Sequence, residues 1–123
     1  MKAWAAGAIS VLVSAASADS LASWQDSKTE PLQGGYILYG GDLGDWTAPK
    51  PGDAKVNLEI SGALAKQMFE LMGARAEKEA CGEDGEKARV TGDLACIREK
   101  SGATHCYVGL DLANGKSVHG LIC

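Results

Sequence analysis

Four cysteines, Cys81, Cys96, Cys106 and Cys123, constrain this chain more than any other feature, and what they do depends on where the chain goes. Met1 and Lys2 set a positive charge ahead of the nearly apolar run from Ala3 to Val13. Ala16-Ser17-Ala18 then offers small residues at a cleavage spacing. A short positive region, an apolar region and an A-x-A site are the three parts of a secretory signal peptide. The sequence therefore predicts a leader over residues 1–18, cut after Ala18, and a periplasmic or secreted product. In an oxidising compartment, an even number of cysteines in a short chain reads as two disulfides with three possible pairings.

A membrane anchor is the competing reading of the same segment. A span needs about 20 apolar residues, whereas Ser10, Ser14 and Ser17 interrupt this run and Asp19 follows it. No cysteine stands near the cut to take a lipid, and no later segment is apolar enough to cross a bilayer. No membrane insertion is expected after cleavage. The cysteine spacings of 15, 10 and 17 include no C-x-x-C pair and no histidine at ligand spacing. That argues against zinc and against redox chemistry. No cofactor or metal is expected.

Cleavage after Ala18 leaves 105 of the 123 residues, enough for one small domain whose modest core gains from covalent staples. Lys2 is the only charged residue of the leader, so the mature part holds 11 basic and 16 acidic residues, a net charge of −5. A weakly acidic surface disfavours nucleic acid and anionic membranes. It is compatible with a basic protein partner, but many soluble domains carry such a charge for solubility alone, and that is the more ordinary reading.

Residues 19–33 are polar, contain Trp24 and Pro31, and read as an irregular lead-in to a single domain over 34–123. Tyr36 to Tyr39 is a short β-type run that Gly40-Gly41 ends. Residues 40–53, with four Gly, three Asp, two Pro and Trp46, read as one long loop. Ala54 to Ile60 alternates, with Val56, Leu58 and Ile60 on one face and Lys55, Asn57 and Glu59 on the other. Ser61 is a candidate N-cap for a helix from Ala63 to about Arg75, with an apolar stripe of Leu64, Ala65, Met68, Phe69, Leu71 and Met72. Cys81 to Lys87 reads as a loop. Three strand-like runs follow: Ala88–Arg98, bent or broken near Gly92, then His105–Leu112 and Lys116–Ile122. The predicted fold class is α+β, one main helix packed on a small antiparallel sheet with two disulfides.

Register predicts one pairing. A three-residue loop, Lys100 to Gly102, sets Glu99 opposite Ala103, Cys96 opposite Cys106 and Leu94 opposite Val108. A two-residue loop would mismatch the buried faces. Opposed Cβ atoms lie about 4.5–5.5 Å apart, close to disulfide range. Cys96–Cys106 is therefore expected, which leaves Cys81–Cys123 to tie the loop after the helix to the last residue. For the final hairpin, a loop of Ala113 to Gly115 with Gly115 left-handed puts Val118 and Ile122 on the face of Leu110 and Cys106. A two-residue turn would instead turn His119 and Leu121 inward.

Candidate chemistry is sparse. His105 and His119 have Ser101, Ser117 and Asp111 as possible triad partners, but none stands in a nucleophile-elbow context. Both histidines are expected on the outward face beside Tyr107. Asp42-Leu43-Gly44-Asp45 lacks the alternating oxygen ligands and terminal Glu of a calcium loop and reads as a turn. Pairs such as Glu79 with Glu83, or Asp84 with Glu86, read as a solvated charged loop. Trp46, with Asp42 and Asp45, is the candidate partner-binding group, because a Trp in a Gly/Asp/Pro stretch has few ways to bury itself and such aromatics are enriched at binding hot spots. The structural alternative is that Trp46 folds back over an edge of the core.

The segments GYILYGGDLGDW, ISGALAKQMFELMGA and LACIREKSGATHCYVGLDLANGKSVHGLIC together resemble a group of small exported bacterial proteins of unassigned function that share a helix, a Cys-containing hairpin and a C-terminal Cys. The resemblance implies a fold rather than an activity. Some small, disulfide-stapled periplasmic proteins are lysozyme inhibitors or immunity proteins, a link made here by analogy at the level of fold. The expected function is a non-enzymatic envelope binding or inhibitor protein. The alternatives are a small secreted hydrolase and an envelope-structural protein without a small-molecule site.

Overall fold

The computed structural model describes Gly7 and residues 28–73, 75–78 and 84–120. Apart from Gly7, the predicted leader lies outside the described residues, as do Trp24, Cys81 and Cys123 and with them the expected Cys81–Cys123 bridge. Contacts divide the chain into Met1–Pro31 and Leu32–Cys123, and every element below belongs to the second unit.

The helix-on-antiparallel-sheet architecture is present, with more sheet than the strand count expected from the sequence. The strands are β1 (Gly34–Asp42), β2 (Asp45–Thr47), β3 (Lys55–Ile60), β4 (Glu77–Lys78), β5 (Lys87–Thr91), β6 (Leu94–Arg98), β7 (Thr104–Asp111) and β8 (Ser117–Val118). The helix α1 (Gly62–Leu71) follows β3. Seven strands run in the order β2-β1-β3-β7-β6-β5-β4, and β8 adds to β7. All pairs are antiparallel.

Three boundaries differ from the sequence reading. β1 does not end at Gly40-Gly41 but continues to Asp42, because β2 pairs with it there. Residues 40–53 are thus a hairpin plus a Lys50–Asp53 bridge, not one loop. The break expected near Gly92 is present: a two-residue turn at Gly92-Asp93 separates β5 from β6, with Thr91 opposite Leu94. The helix stops at Leu71, and Glu77–Lys78 form β4 against β5. The run Lys116–Ile122 keeps only Ser117–Val118 as strand, with residues 121–123 outside the description.

The hairpin carrying the bridge has the predicted register. Cys96 lies opposite Cys106 and Arg98 opposite Thr104. Glu99 N–H donates to Ala103 O at 2.8 Å across the three-residue loop. The Cys96–Cys106 disulfide is formed, with Cα atoms 4.0 Å apart. Counting pairs from Glu99–Ala103 places the cysteines in a wide, non-hydrogen-bonded pair, where side chains stand closest.

The final hairpin is displaced by one residue. Leu110 lies opposite Ser117 and Gly109 opposite Val118, and Asp111 N–H donates to Lys116 O at 2.8 Å. The loop therefore has four residues, Leu112 to Gly115. Gly115 is left-handed (φ 73°), as expected. Val118 shares the face of Gly109, not that of Leu110 and Cys106. A Cβ on residue 109 would stand 2.7 Å from Val118 Cγ2. The valine thus fills the space that the glycine leaves empty, which rewards this register over the predicted one.

α1 lies on one face of the sheet. Ala65 and Phe69 pack on Ile60, Cys96 and Cys106, and Met68, Met72 and Leu94 close the edges of this core. Leu64 and Leu71, which the stripe placed inward, are exposed. Ser61 occupies the N-cap position, but its side chain makes no capping bond. The C-terminal end is capped from the sheet instead. Arg89 of β5 donates from Nη1 to the Phe69 and Met72 carbonyls, the acceptors a helix end leaves open. The Arg89 and Arg98 guanidinium carbons stand 4.5 and 4.2 Å from the centre of the Phe69 ring, and Arg98 also pairs with Glu70 of the helix. Cation–π contact and ion pairing therefore fix the helix to β5 and β6 around one aromatic residue.

Candidate functional site

The β1–β2 hairpin brings Asp42, Asp45 and Trp46 together. The two aspartates face each other across the Leu43-Gly44 turn, and Trp46 lies opposite Gly41. Alternation along β1 puts Trp46 on the face of Tyr39. Their ring centroids are 6.0 Å apart with planes tilted by 32°. Tyr39 is buried, whereas Trp46 remains 48% exposed. Trp46 thus rests one flank on Tyr39 and presents the other to solvent. Asp42 and Asp45 are exposed beside it.

The root of the hairpin is held by residues that the sequence reading did not single out. Gly41 N–H donates to both Asp53 carboxylate oxygens, at 3.1 and 3.3 Å. Lys55 Nζ donates to Gly41 O at 2.9 Å, lies 3.4 Å from Asp53 Oδ1, and stands 5.9 Å from the Tyr39 ring centre. β3 begins at Lys55, so it has no backbone to offer Gly41, and these two side chains take its place. The Gly41 N–H first, and then Lys55, hold the Asp53 carboxyl below the usual carboxylate range. Asp53 is itself fixed by reciprocal backbone bonds with Lys50, at 2.9 and 3.2 Å. The signal was present in the sequence as an Asp two residues before a strand-opening Lys, but its target could be known only once β1 was seen to extend to Asp42. Beside the hairpin root, Leu38, Pro49, Pro51, Leu112 and Ala113 line a shallow, mostly apolar groove of ≈ 380 Å³.

A second polar group occupies the sheet face opposite α1. His105 Nδ1 lies 3.1 Å from Glu59 Oε1, and its Nε2 lies 3.8 Å from Glu99 Oε1. Tyr107 stands opposite Glu59 in the β3–β7 ladder. Burial first, and then the Glu59 charge, push the Tyr107 phenol above its ordinary value. His105 lies on the outward face beside Tyr107, where the sequence reading put it. The acid beside it is Glu59, not Asp111. Asp111 Oδ1 accepts from Ala113 N–H in its own turn, Ser117 Oγ donates to Asp93, and Ser101 Oγ donates to Glu99. His119 is exposed just past β8. Glu59 and His105 meet only because β3 pairs with β7, a long-range choice that no local pattern announces.

Among the described residues, no cluster of three His, Cys, Asp or Glu side chains is placed to hold a metal ion, and no helix is long and apolar enough to cross a membrane. Glu79 and Glu83 lie outside the description, and Asp84 is exposed. Comparison with family profiles, with curated proteins and with solved structures finds no match to this chain.

Proposed function

We propose that this protein is a small exported, disulfide-stapled binding protein of the bacterial cell envelope that acts by occupying another protein, without catalysis of its own. The observation that carries the reading is the β1–β2 hairpin. It offers one half-exposed tryptophan next to a turn that carries two exposed aspartates, and its root is locked by Asp53, Lys55 and Tyr39 before any partner arrives. A rigid aromatic anchor costs little ordering on binding. Flanking carboxylates suit a basic surface and speed encounter with it. The net charge of −5 expected for the mature chain acts in the same sense. A lysozyme-like hydrolase or a secreted effector is the target class that fits this chemistry. Export itself rests on the leader pattern of residues 1–18, with which the Cys96–Cys106 bridge is compatible.

The test uses the mature, oxidised protein as bait in envelope and secreted fractions, beside Trp46→Ala and an Asp42→Asn/Asp45→Asn double variant. Inhibition of a lysozyme-like hydrolase is titrated in parallel. Wild type should retain a basic protein or inhibit the hydrolase. Trp46→Ala should weaken binding by about 2 kcal/mol or more, roughly thirtyfold. Retention of the same proteins by all three baits, with no inhibition, would contradict the reading. The runner-up, a small hydrolase, draws on the His105–Glu59 pair. Hydrolytic activity lost in His105→Ala would move the assignment there.

A further inference from the structure

One side of the sheet ends in a strand edge that the described chain leaves half empty. Ser61 N–H donates to Gln33 O at 3.0 Å, which extends the β1–β3 ladder by one pair. Backbone polar groups alternate in direction along a strand. Gly35, Ile37 and Tyr39 therefore also aim at β3, whereas Gly34, Tyr36 and Leu38 aim away from it. Gly40 and Asp42 belong to the outward set too, and β2 pairs with them. β2 ends at Thr47, and Pro49 and Pro51 follow. Among the described residues, no strand continues it along Gly34, Tyr36 and Leu38.

Sheets protect their edges with charge, proline, bulges or shortness. β4 and β8 have two residues each, and β2 has three and carries Asp45. The segment Gly34–Tyr39 has none of these guards. It is six uncharged residues, GGYILY, and Tyr36 is 74% exposed.

We infer that this edge pairs with the same edge of a second copy about a twofold axis, which makes one continuous sheet across a dimer. The inference goes beyond the binding reading and does not depend on it. Register carries it. An antiparallel twofold centred on Tyr36 matches Gly34 with Leu38 of the second copy and Tyr36 with Tyr36, so every outward residue meets another outward residue. Moving the axis by one residue leaves part of the set unmatched or collides with Gly40, which β2 already occupies. The three narrow pairs supply roughly six main-chain hydrogen bonds, two each. Side chains agree with the same register. Leu38 falls opposite Gly34 and Ile37 opposite Gly35, so each large apolar group covers a bare glycine backbone. The most exposed aromatic of the strand meets its own copy at the axis, a favourable cross-strand pair. Tyr36 and Leu38 share the α1 side of the sheet with Val56, Leu58, Val108 and Leu110, so two partly exposed apolar strips join edge to edge. A foreign extended peptide would pair with the same backbone groups but has no need of this self-matching register. The contact is small, and the dimer should be micromolar rather than nanomolar.

Sedimentation velocity on the mature, oxidised protein at tens of micromolar tests the inference. Wild type should sediment as a concentration-dependent dimer. Tyr36→Pro removes an outward N–H and so no internal ladder bond. It should keep the circular dichroism of the fold and sediment as a monomer. Tyr36→Cys should oxidise to a covalent dimer, because narrow antiparallel pairs hold Cα atoms about 5.5 Å apart, within disulfide reach. Leu71→Cys, exposed on α1, should not. If Tyr36→Pro does not fold, the cysteine pair decides. A monomeric wild type with no Tyr36→Cys cross-link overturns the inference. So does a dimer that folded Tyr36→Pro leaves intact, or cross-linking as efficient through Leu71→Cys.

Discussion

Cys96 and Cys106 stand opposite each other on β6 and β7 with Cα atoms 4.0 Å apart, and their bridge is part of the floor on which α1 rests. Cys106 Sγ lies 3.6 Å from the Ala65 carbonyl of the helix. The bridge therefore staples a hairpin and at the same time fills the helix–sheet core. Both cysteines are fully buried. Replacing them with Cys96→Ala/Cys106→Ala should cost about 3 kcal/mol through the freed unfolded chain, for a loop of this length. Loss of buried volume adds to that. Denaturant unfolding of the variant beside wild type measures it, and an unchanged midpoint would contradict the role assigned to the bridge.

Phe69 is the residue on which helix and sheet converge. It is 2% exposed and lies between the Arg89 and Arg98 guanidinium groups. Phe69→Ala should destabilise the fold by about 3–5 kcal/mol. Phe69→Leu, which keeps most of the volume but not the ring, should fall between it and wild type. Equal loss in both would assign the stabilisation to the aromatic contacts alone.

The Asp53 anchor gives the hairpin a defined acid limit. Folding lowers this carboxyl below its ordinary value of 3.8. The unfolded chain therefore takes up the proton first. The stability that Asp53 supplies is fully present above 3.8 and is lost as the pH falls through the lower, folded value. Asp53→Asn should destabilise the fold at neutral pH, and its difference from wild type should shrink in acid. Trp46 emission in a Trp24→Phe background reads the hairpin directly. A difference that stays constant from neutral pH into acid would contradict the anchor.

Tyr107 titrates in the opposite sense. Its phenol is raised above 10.0, because burial and the Glu59 carboxylate both disfavour phenolate. Its contribution to stability is present below 10.0 and drains away as the pH rises through the folded value. Glu59→Gln should bring the Tyr107 titration back toward the ordinary range, as read by ultraviolet difference absorbance. An unmoved titration would assign the whole shift to burial.

Much of this geometry is legible in the sequence wherever parity and loop length act together. Cys96 and Cys106 share the buried parity of their strands, and only a three-residue loop reconciles them, so their register and bridge follow. The same logic misplaces Val118 by one residue, because it credits burial beside Leu110 and overlooks the empty space at Gly109 that the valine fills. Trp46 stands out by composition, but glycine-rich flanks hide a strand whose pairing depends on a two-residue turn. Asp53 and Glu59 do not stand out at all. Their roles require knowing that β1 outruns β3 and that β3 pairs with β7, and both facts arise from contacts distant in sequence.

The functional reading rests on export, and intact-mass analysis of the native protein isolated from its producing cells tests it most directly. The account predicts a species that begins at Asp19 and gains no mass under a thiol-alkylating reagent until it is reduced, with Cys96 and Cys106 recovered in one bridged fragment. A species that retains Met1–Ala18 in the cytosol and carries alkylatable Cys96 and Cys106 would contradict it.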